Sequence, residues 1–437
     1  MKGNYKTTEI GSSKSDDYRR FLMRYARQCL KESNYHQADL ALQVCQNRFP
    51  LDPAAFILQS TLAHRLGLFE QAKQHVTKAL ALDPNFSKAL ENKKIIDQAI
   101  EKQKSKKTAN SDRYLLIHSW GSGLGFDLLY LLKQLMVADL TGRKPMVFWG
   151  KNSLYNDCSE TDCFIKYFDP ISDLTFTDIE LFHKDCFPEY WQKRSLDDYI
   201  RRTSWRNKAN NQKYKMTGLY FLNRPENLVI GGEFTTIKML MPWVPQGHRF
   251  YGKSIRAVYR DLMTKYIRPK ENLRHRANTF VKDQFSGKEF IAIHLRGTDK
   301  HQEKQSNDIA NINQQLIDQV DQLDNTLPIF LMTDDVRIIT VMYDRFGNRV
   351  RSVNVTRSDG DELGVHQTAN DKQKIAEEVI VDMLIASQSQ YFFGCGFSYL
   401  ACCVAAMCPE KIHISLLPFD VTTRFNNIPT RGSYGIT

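Results

Sequence analysis

Ile291-Ala-Ile-His294-Leu-Arg296-Gly-Thr-Asp299-Lys300 decides how this chain folds and where its chemistry lies. Its apolar residues read as the end of a buried strand, and a His-x-Arg-x-x-Asp-Lys cluster follows at once. In an open α/β sheet, ligands bind in the crevice beyond the carboxyl ends of the strands. A guanidinium and an ammonium placed there suit capture of a phosphate, Arg296 gripping two oxygens and Lys300 acting as a point charge. An ordinary solvated strand end is the competing reading of this segment taken alone.

Working outward, a strand at 290–294 is followed by a helix at 311–323 and a second strand, Pro328-Ile-Phe-Leu-Met332. Next come Thr333-Asp334-Asp335, a helix, and a strand near 350–355. A long helix over 372–387, the strand Tyr391-Phe-Phe393 and the turn Gly394-Cys-Gly-Phe-Ser398 lead into an apolar helix ending at Met407. A similar unit lies upstream: strand 114–118, the turn Ser119-Trp-Gly121-Ser-Gly123-Leu-Gly125, a long apolar helix and the strand Pro145-Met-Val-Phe-Trp149. Strand, helix and strand in succession indicate a βαβ unit. The glycines run G-x-G-x-G rather than G-x-G-x-x-G, which argues against a nicotinamide site. Gly121, Gly123 and Gly125 point to a ligand approaching backbone N–H groups at a helix N-terminus, although tight packing explains glycines as well. The two units describe two Rossmann-like domains facing across a cleft. Residues 251–280 are helical in period, whereas 152–250 are aromatic-rich and show no assignable pattern.

The first hundred residues carry a repeat with a spacing of 34 residues: Tyr35 and Phe69, Ala38 and Ala72, Cys45 and Ala79, Pro50 and Pro84. Small residues let antiparallel helices approach, an aromatic fills the gap between them, and Pro ends the second helix, as in a tetratricopeptide repeat. A capping helix is expected from Ser87 to about Gln103. The expected organisation is a disordered N-terminus at 1–16 and helical repeats at 17–104. A linker at 105–112, an N-terminal Rossmann-like domain at 113–250 and a C-terminal one at 251–437 complete it.

The chain has 437 residues, 42% of them hydrophobic and 25% charged, as in ordinary globular proteins. No stretch approaches the ~18 apolar residues of a membrane-spanning helix, and the first residues lack the apolar core of a signal peptide. A cytoplasmic location is therefore expected. Nine scattered cysteines suit a reducing compartment. Cys158, Cys163, His183 and Cys186 match no well-formed zinc set and read as core or loop residues. A net charge of +11 favours anionic partners. The basic, aromatic-interleaved run from Arg201 to Lys215 reads as a solvated loop or the rim of an acidic substrate's site rather than a nucleic-acid surface.

His294-Leu-Arg296-Gly-Thr298-Asp299-Lys300 resembles the His-x-Arg-Arg-Thr-Asp-Lys motif of the α1,6-fucosyltransferases and, more broadly, the O-fucosyltransferase-like superfamily. Lys265-Tyr-Ile-Arg-Pro269, Thr333-Asp334-Asp335, Asp382 with Ser387-Gln388, and Phe397-Ser398 resemble that family's blocks in the same order. The Gly121-x-Gly-x-Gly turn resembles its N-terminal glycine loop. The likeness covers roughly residues 112–410 and leaves the repeats outside.

This resemblance implies an α/β GT-B fold and an inverting, metal-independent transferase using GDP-fucose, with no cofactor. Fixed cations aimed at the β-phosphate replace a divalent metal there, and Arg296 with Lys300 is the candidate set. His294, Asp382 and Ser398 are expected near the nucleotide, with Asp334 and Asp335 bonding base or ribose hydroxyls. Inverting transfer needs a carboxylate to take the acceptor's proton. Here the sequence departs from the family: Lys304 occupies that position, so Glu303 is the first candidate base and Asp299 the next. Asp299 serves equally well as an ion-pair partner that orients Arg296. Gly297 replaces the family's second Arg. The expected partners are the nucleotide sugar, a protein or glycan acceptor, and a protein held by the helical repeats. Alternatives are a non-catalytic adaptor on a degenerate GT-B scaffold, or a GT-B enzyme using another nucleotide sugar.

Overall fold

The computed structural model describes residues 10–106, 113–157, 162–180, 183–193, 218–231, 236–297, 306–323, 326–358 and 371–426. Five helices open the chain: α1 (Ile10–Lys31), α2 (Tyr35–Arg48), α3 (Pro53–Arg65), α4 (Phe69–Leu82) and α5 (Ser87–Lys106). Local chemistry sets their ends. The Asn34 side chain accepts from Gln37 N–H at the start of α2, and Asp52 caps α3, where Pro53 occupies the first turn. Buried alanines, among them Ala38, Ala55, Ala63, Ala72 and Ala79, let successive helices pack closely. Helix α1 begins at Ile10, inside the stretch expected to be disordered. Ion pairs from Asp16 to Arg19 and Arg20, one turn on, favour the helix there.

Two parallel sheets follow. In the first, β1 (Tyr114–His118), β2 (Lys144–Phe148), β3 (Cys186–Phe187) and β4 (Leu228–Ile230) lie in the order β2-β1-β4-β3. Helix α6 (Leu124–Thr141) joins β1 to β2. In the second, β5 (Ile291–His294), β6 (Ile329–Met332), β7 (Val350–Arg351), β8 (Tyr391–Cys395) and β9 (His413–Leu417) lie in the order β7-β6-β5-β8-β9. This is a doubly wound order that reverses between β5 and β8, where Ile291 pairs with Tyr391 and His294 with Gly394.

The helices around the second sheet are α7 (Ile255–Tyr266), α8 (Glu271–Phe285), α9 (Ser306–Asp321), α10 (Val336–Phe346), α11 (Lys372–Ala386), α12 (Tyr399–Met407) and α13 (Val421–Asn426). The single helical stretch expected over 251–280 is two helices, broken at Arg268-Pro269, because proline has no N–H and clashes with the preceding turn. The expected strand at 350–355 closes at Arg351, after which the chain turns toward the end of β6.

Alternation along β5 and β6 sends Ala292, Phe330 and Met332 to one apolar core and Ile291, Ile293, Ile329 and Leu331 to another. The first of these cores is continuous with residues of α1–α5 and α6. Where the helical module meets the first α/β unit, specific polar contacts add to this shared apolar core. Trp243 Nε1–H donates to the buried Asp39 carboxylate at 3.3 Å, Gln71 Nε2 donates to Trp243 O at 2.9 Å, and Asn223 Nδ2 donates to Arg65 O at 3.1 Å.

Burial raises the Asp39 carboxyl to about 6, against the bonds from Trp243 and Gln43 that favour its charged form. A raised carboxyl binds its proton more tightly in the folded state, so stability falls as pH rises between about 4 and 6 and stays reduced above that window. Asp39→Asn keeps the acceptor for Trp243 and removes the buried charge. It should raise stability by on the order of 1–2 kcal/mol at neutral pH, with the gain vanishing near pH 4. Chemical denaturation at the two pH values checks this; a variant less stable at both would show that the charge itself holds the joint.

Candidate functional site

Strand β5 is buried along its length and ends at His294, and the chain leaves it through Leu295, Arg296 and Gly297. Leu295 N–H still bonds to Met332 O at 3.0 Å, which extends the sheet by one residue. The half-buried Arg296 is fixed through its backbone: Asn313 of α9 donates to its carbonyl at 2.8 Å and accepts from its N–H at 3.4 Å. This places a guanidinium beyond the carboxyl edge of β5, at the point where the strand order reverses. In such sheets that point is the crevice in which ligands bind.

The imidazole of His294 lies beside it, 6% exposed, with Nδ1 sealed from solvent and unpartnered. Burial, and then the neighbouring Arg296 charge, push its pKa down to about 4, so it is neutral at physiological pH. In the other α/β unit Tyr155 is a buried phenol whose oxygen accepts from Leu124 N–H at 2.8 Å. Burial raises that phenol's pKa; the Leu124 N–H bond opposes the rise, Asp127 adds to it, and the Arg296 charge opposes it least.

Beyond β6 the segment 353–358 runs beside Asp334–Val336, with Ser358 N–H bonded to Asp334 O and Val336 N–H to Ser358 O. It carries Arg357, whose Nη2 and Nη1 donate to Val353 O and Val355 O while Nε is sealed and unpartnered. Asp382 of α11 sits within its field, and its Oδ1 is likewise sealed and unpartnered. Burial pushes the Asp382 carboxyl up to about 7; Arg357 opposes that rise and Glu378 adds to it.

Other expected site residues already have structural partners. Asp127 accepts from the N–H groups of Gly121 and Ser122, so the glycine turn is closed by a carboxylate of its own helix. Gly121 has φ +76°, and a Cβ there would lie 2.5 Å from Asn152 O. A Cβ on Gly125 would lie 2.5 Å from the backbone of Leu400 in α12; Gly123 alone opens onto free space. Asp334 accepts from Gly297 N–H at 3.0 Å. Asp335 caps α10 through Arg337 N–H at 2.8 Å and pairs with the Arg337 guanidinium. Ser398 is fully buried and caps α12. Lys300, Asp299 and Glu303 lie outside the described residues, as do Thr298 and Lys304.

Tyr155, Asp127 and Arg357 were not singled out from the sequence. Asp127 had a signal, an acid in the first turn of a helix after a glycine loop. Tyr155 and Arg357 sit in irregular segments and had none. Among the described residues no group of three His, Cys, Asp or Glu side chains gathers as a metal site, and Cys163 and Cys186 are separately buried free thiols.

No protein-family model matches this chain, and no curated protein matches it. Among solved structures it is similar to the NodZ α-1,6-fucosyltransferase soaked with GDP-fucose, at 16% identity over 71% of this chain and 96% of that one, TM-score 0.48. NodZ from Bradyrhizobium is similar at 17% identity over 70% and 96%, TM-score 0.48. The apo form of POFUT1 is similar at 10% identity over 71% and 99%, TM-score 0.43.

Gly297 is where the geometry departs most from the expected motif. A Cβ there would lie 2.1 Å from Asp335 Cβ, so the position excludes every side chain while Asp335 caps α10. Gly297→Ala should lower stability by about 1–3 kcal/mol through this overpacking. An unchanged unfolding midpoint would show that the strand end yields freely.

Proposed function

We propose that this protein is an inverting, metal-independent glycosyltransferase that moves fucose from GDP-fucose to a protein or glycan acceptor. The observation that carries the reading is Arg296, held by its backbone just beyond the strand end at the switch point of a doubly wound sheet. Its guanidinium presents two N–H donors to the β-phosphate, where charge collects as the glycosidic C–O bond breaks. Lys300 adds a point charge. The acceptor hydroxyl attacks the anomeric carbon from the opposite face, its proton passes to Glu303, or to Asp299 as second choice, and GDP departs.

His294 is neutral, so it bonds ribose or phosphate without adding charge. Asp382, with Arg357 beside it, offers a carboxyl and a guanidinium to the base. Gly123 leaves room for the donor at the helix N-terminus. With Gly121, Gly125, Asp334, Asp335 and Ser398 engaged elsewhere, their part is to hold these loops in place. The helices at 10–106 act in this reading as tetratricopeptide-like repeats that bring the acceptor, or a partner protein, to the cleft.

Thermal unfolding against GDP-, UDP- and ADP-sugars tests the donor class. The GDP-sugar should stabilise by about 2.7 kcal/mol at ~100 times its dissociation constant, and a response confined to UDP- or ADP-sugars would move the assignment to another donor. Arg296→Lys should lose nearly as much turnover as Arg296→Ala, because an ammonium does not reproduce a two-pronged grip. GDP release from GDP-fucose and cell lysate measures both; release from wild type no greater than from Arg296→Ala would favour an adaptor role. Activity should survive EDTA, and its loss on chelation would restore a metal to the mechanism.

A further inference from the structure

Behind the cleft, α6 of the first unit packs against α12, and α13 lies beside α7 and β9. Two cations are enclosed here: Lys133 of α6 is 1% exposed and Arg424 of α13 is 6% exposed. They are close enough for the Arg424 charge to depress Lys133. Neither forms an ion pair with a described residue, and Arg424 Nε is sealed from solvent without a partner among them. Among the described residues the guanidinium lies near the rings of Tyr399 and Phe419, at 5.5 and 5.4 Å, and near the Cys402 thiol. Buried cations are ordinarily matched by carboxylates, because an unneutralised charge in a low-dielectric interior is costly.

The neighbouring groups do not supply the missing charge. Cys402 and Cys403 approach Lys133, but burial raises both thiols and keeps them protonated. Tyr259, within the field of Arg424 and both thiols, is likewise held neutral by burial. We propose that Lys133 and Arg424 form the site of a small inorganic anion, bound between two α/β units and separate from Arg296. The anion would accept hydrogen bonds from the Lys133 ammonium and the Arg424 guanidinium and join α6 to α13. Without it, burial and Arg424 lower Lys133 to about 7, so part of the population carries a neutral amine at physiological pH. Binding restores the ammonium by taking up a proton.

The test is thermal unfolding of the full chain at constant ionic strength in sodium gluconate, sodium chloride and sodium phosphate. Gluconate is too large for an enclosed site. The unfolding temperature should rise in chloride, phosphate or both relative to gluconate, and which of them acts separates a halide site from an oxoanion site. Lys133→Met should abolish that increment while remaining at least as stable as wild type in gluconate. Equal unfolding temperatures in all three salts, or an increment retained by Lys133→Met, would overturn the proposal. Should the variant fail to fold, chloride and phosphate are titrated into wild type by calorimetry at about pH 6.5 and again at about pH 9.5. Binding that weakens at least severalfold at the higher pH is expected, since only Lys133 among these groups loses charge in that interval; no binding of either anion, or pH-independent binding, would overturn the assignment.

Discussion

The absence of a side chain at Gly125 joins the two α/β units. It lets the first turn of α6 lie against the backbone of Tyr399 and Leu400, where a Cβ would come within 2.5 Å of Leu400 N. Phe126 then meets the Tyr399 ring edge-on at 5.0 Å, and Cys403 Sγ lies 3.3 Å from Gly125 O. The turn after β1 and the turn after β8 are thereby fixed to one another. With β8 paired to β5, the end of β5, which leads into Arg296, is fixed as well. Among the described residues this joint is made by close packing of backbone and ring against one another.

The polar groups near these strand ends divide sharply by what they touch. Asp127, Asp334, Asp335, Asn313 and Ser398 each have backbone N–H or C=O partners, and their effect is to fix turns. His294, Arg357 and Asp382 keep sealed atoms without partners. Unsatisfied buried polar atoms cost free energy, and these three lie at or beyond the strand ends of the second sheet or on the helix packed beside them, among others elsewhere in the fold. Gly297 belongs to the first group: the helix cap at Asp335 occupies the volume a side chain would need.

Strands were the most legible part of the sequence. Tyr114–His118, Ile291–His294 and Ile329–Met332 are short apolar runs followed by polar or glycine turns, and parallel strands buried on both faces read that way. Leu228–Ile230 is only three residues in an aromatic-rich region, too short to show a period, yet it sits between β1 and β3. The site was legible as a position, the end of β5, but less so as a list of residues. Sequence does not distinguish an Asp that caps a helix from one that meets a ligand; Asp335 and Asp382 differ only in what the fold brings to them. Nor does it show Arg357, which lies in an irregular segment that the fold returns to Asp334–Val336, within the field of Asp382.

The helical module poses a different constraint. Its joint to the first α/β unit buries a carboxylate, Asp39, among apolar neighbours and answers it with one indole N–H and one amide. A purely apolar contact would bind without fixing orientation, since hydrophobic burial is non-directional. A hydrogen bond from Trp243 to Asp39, with Gln71 returning to the Trp243 carbonyl, is satisfied at one rotation only. The raised Asp39 pKa is the measure of what that directionality costs. If the module presents an acceptor to the cleft, a fixed bearing matters more than a tight joint, and a buried polar pair provides it where additional apolar area would not.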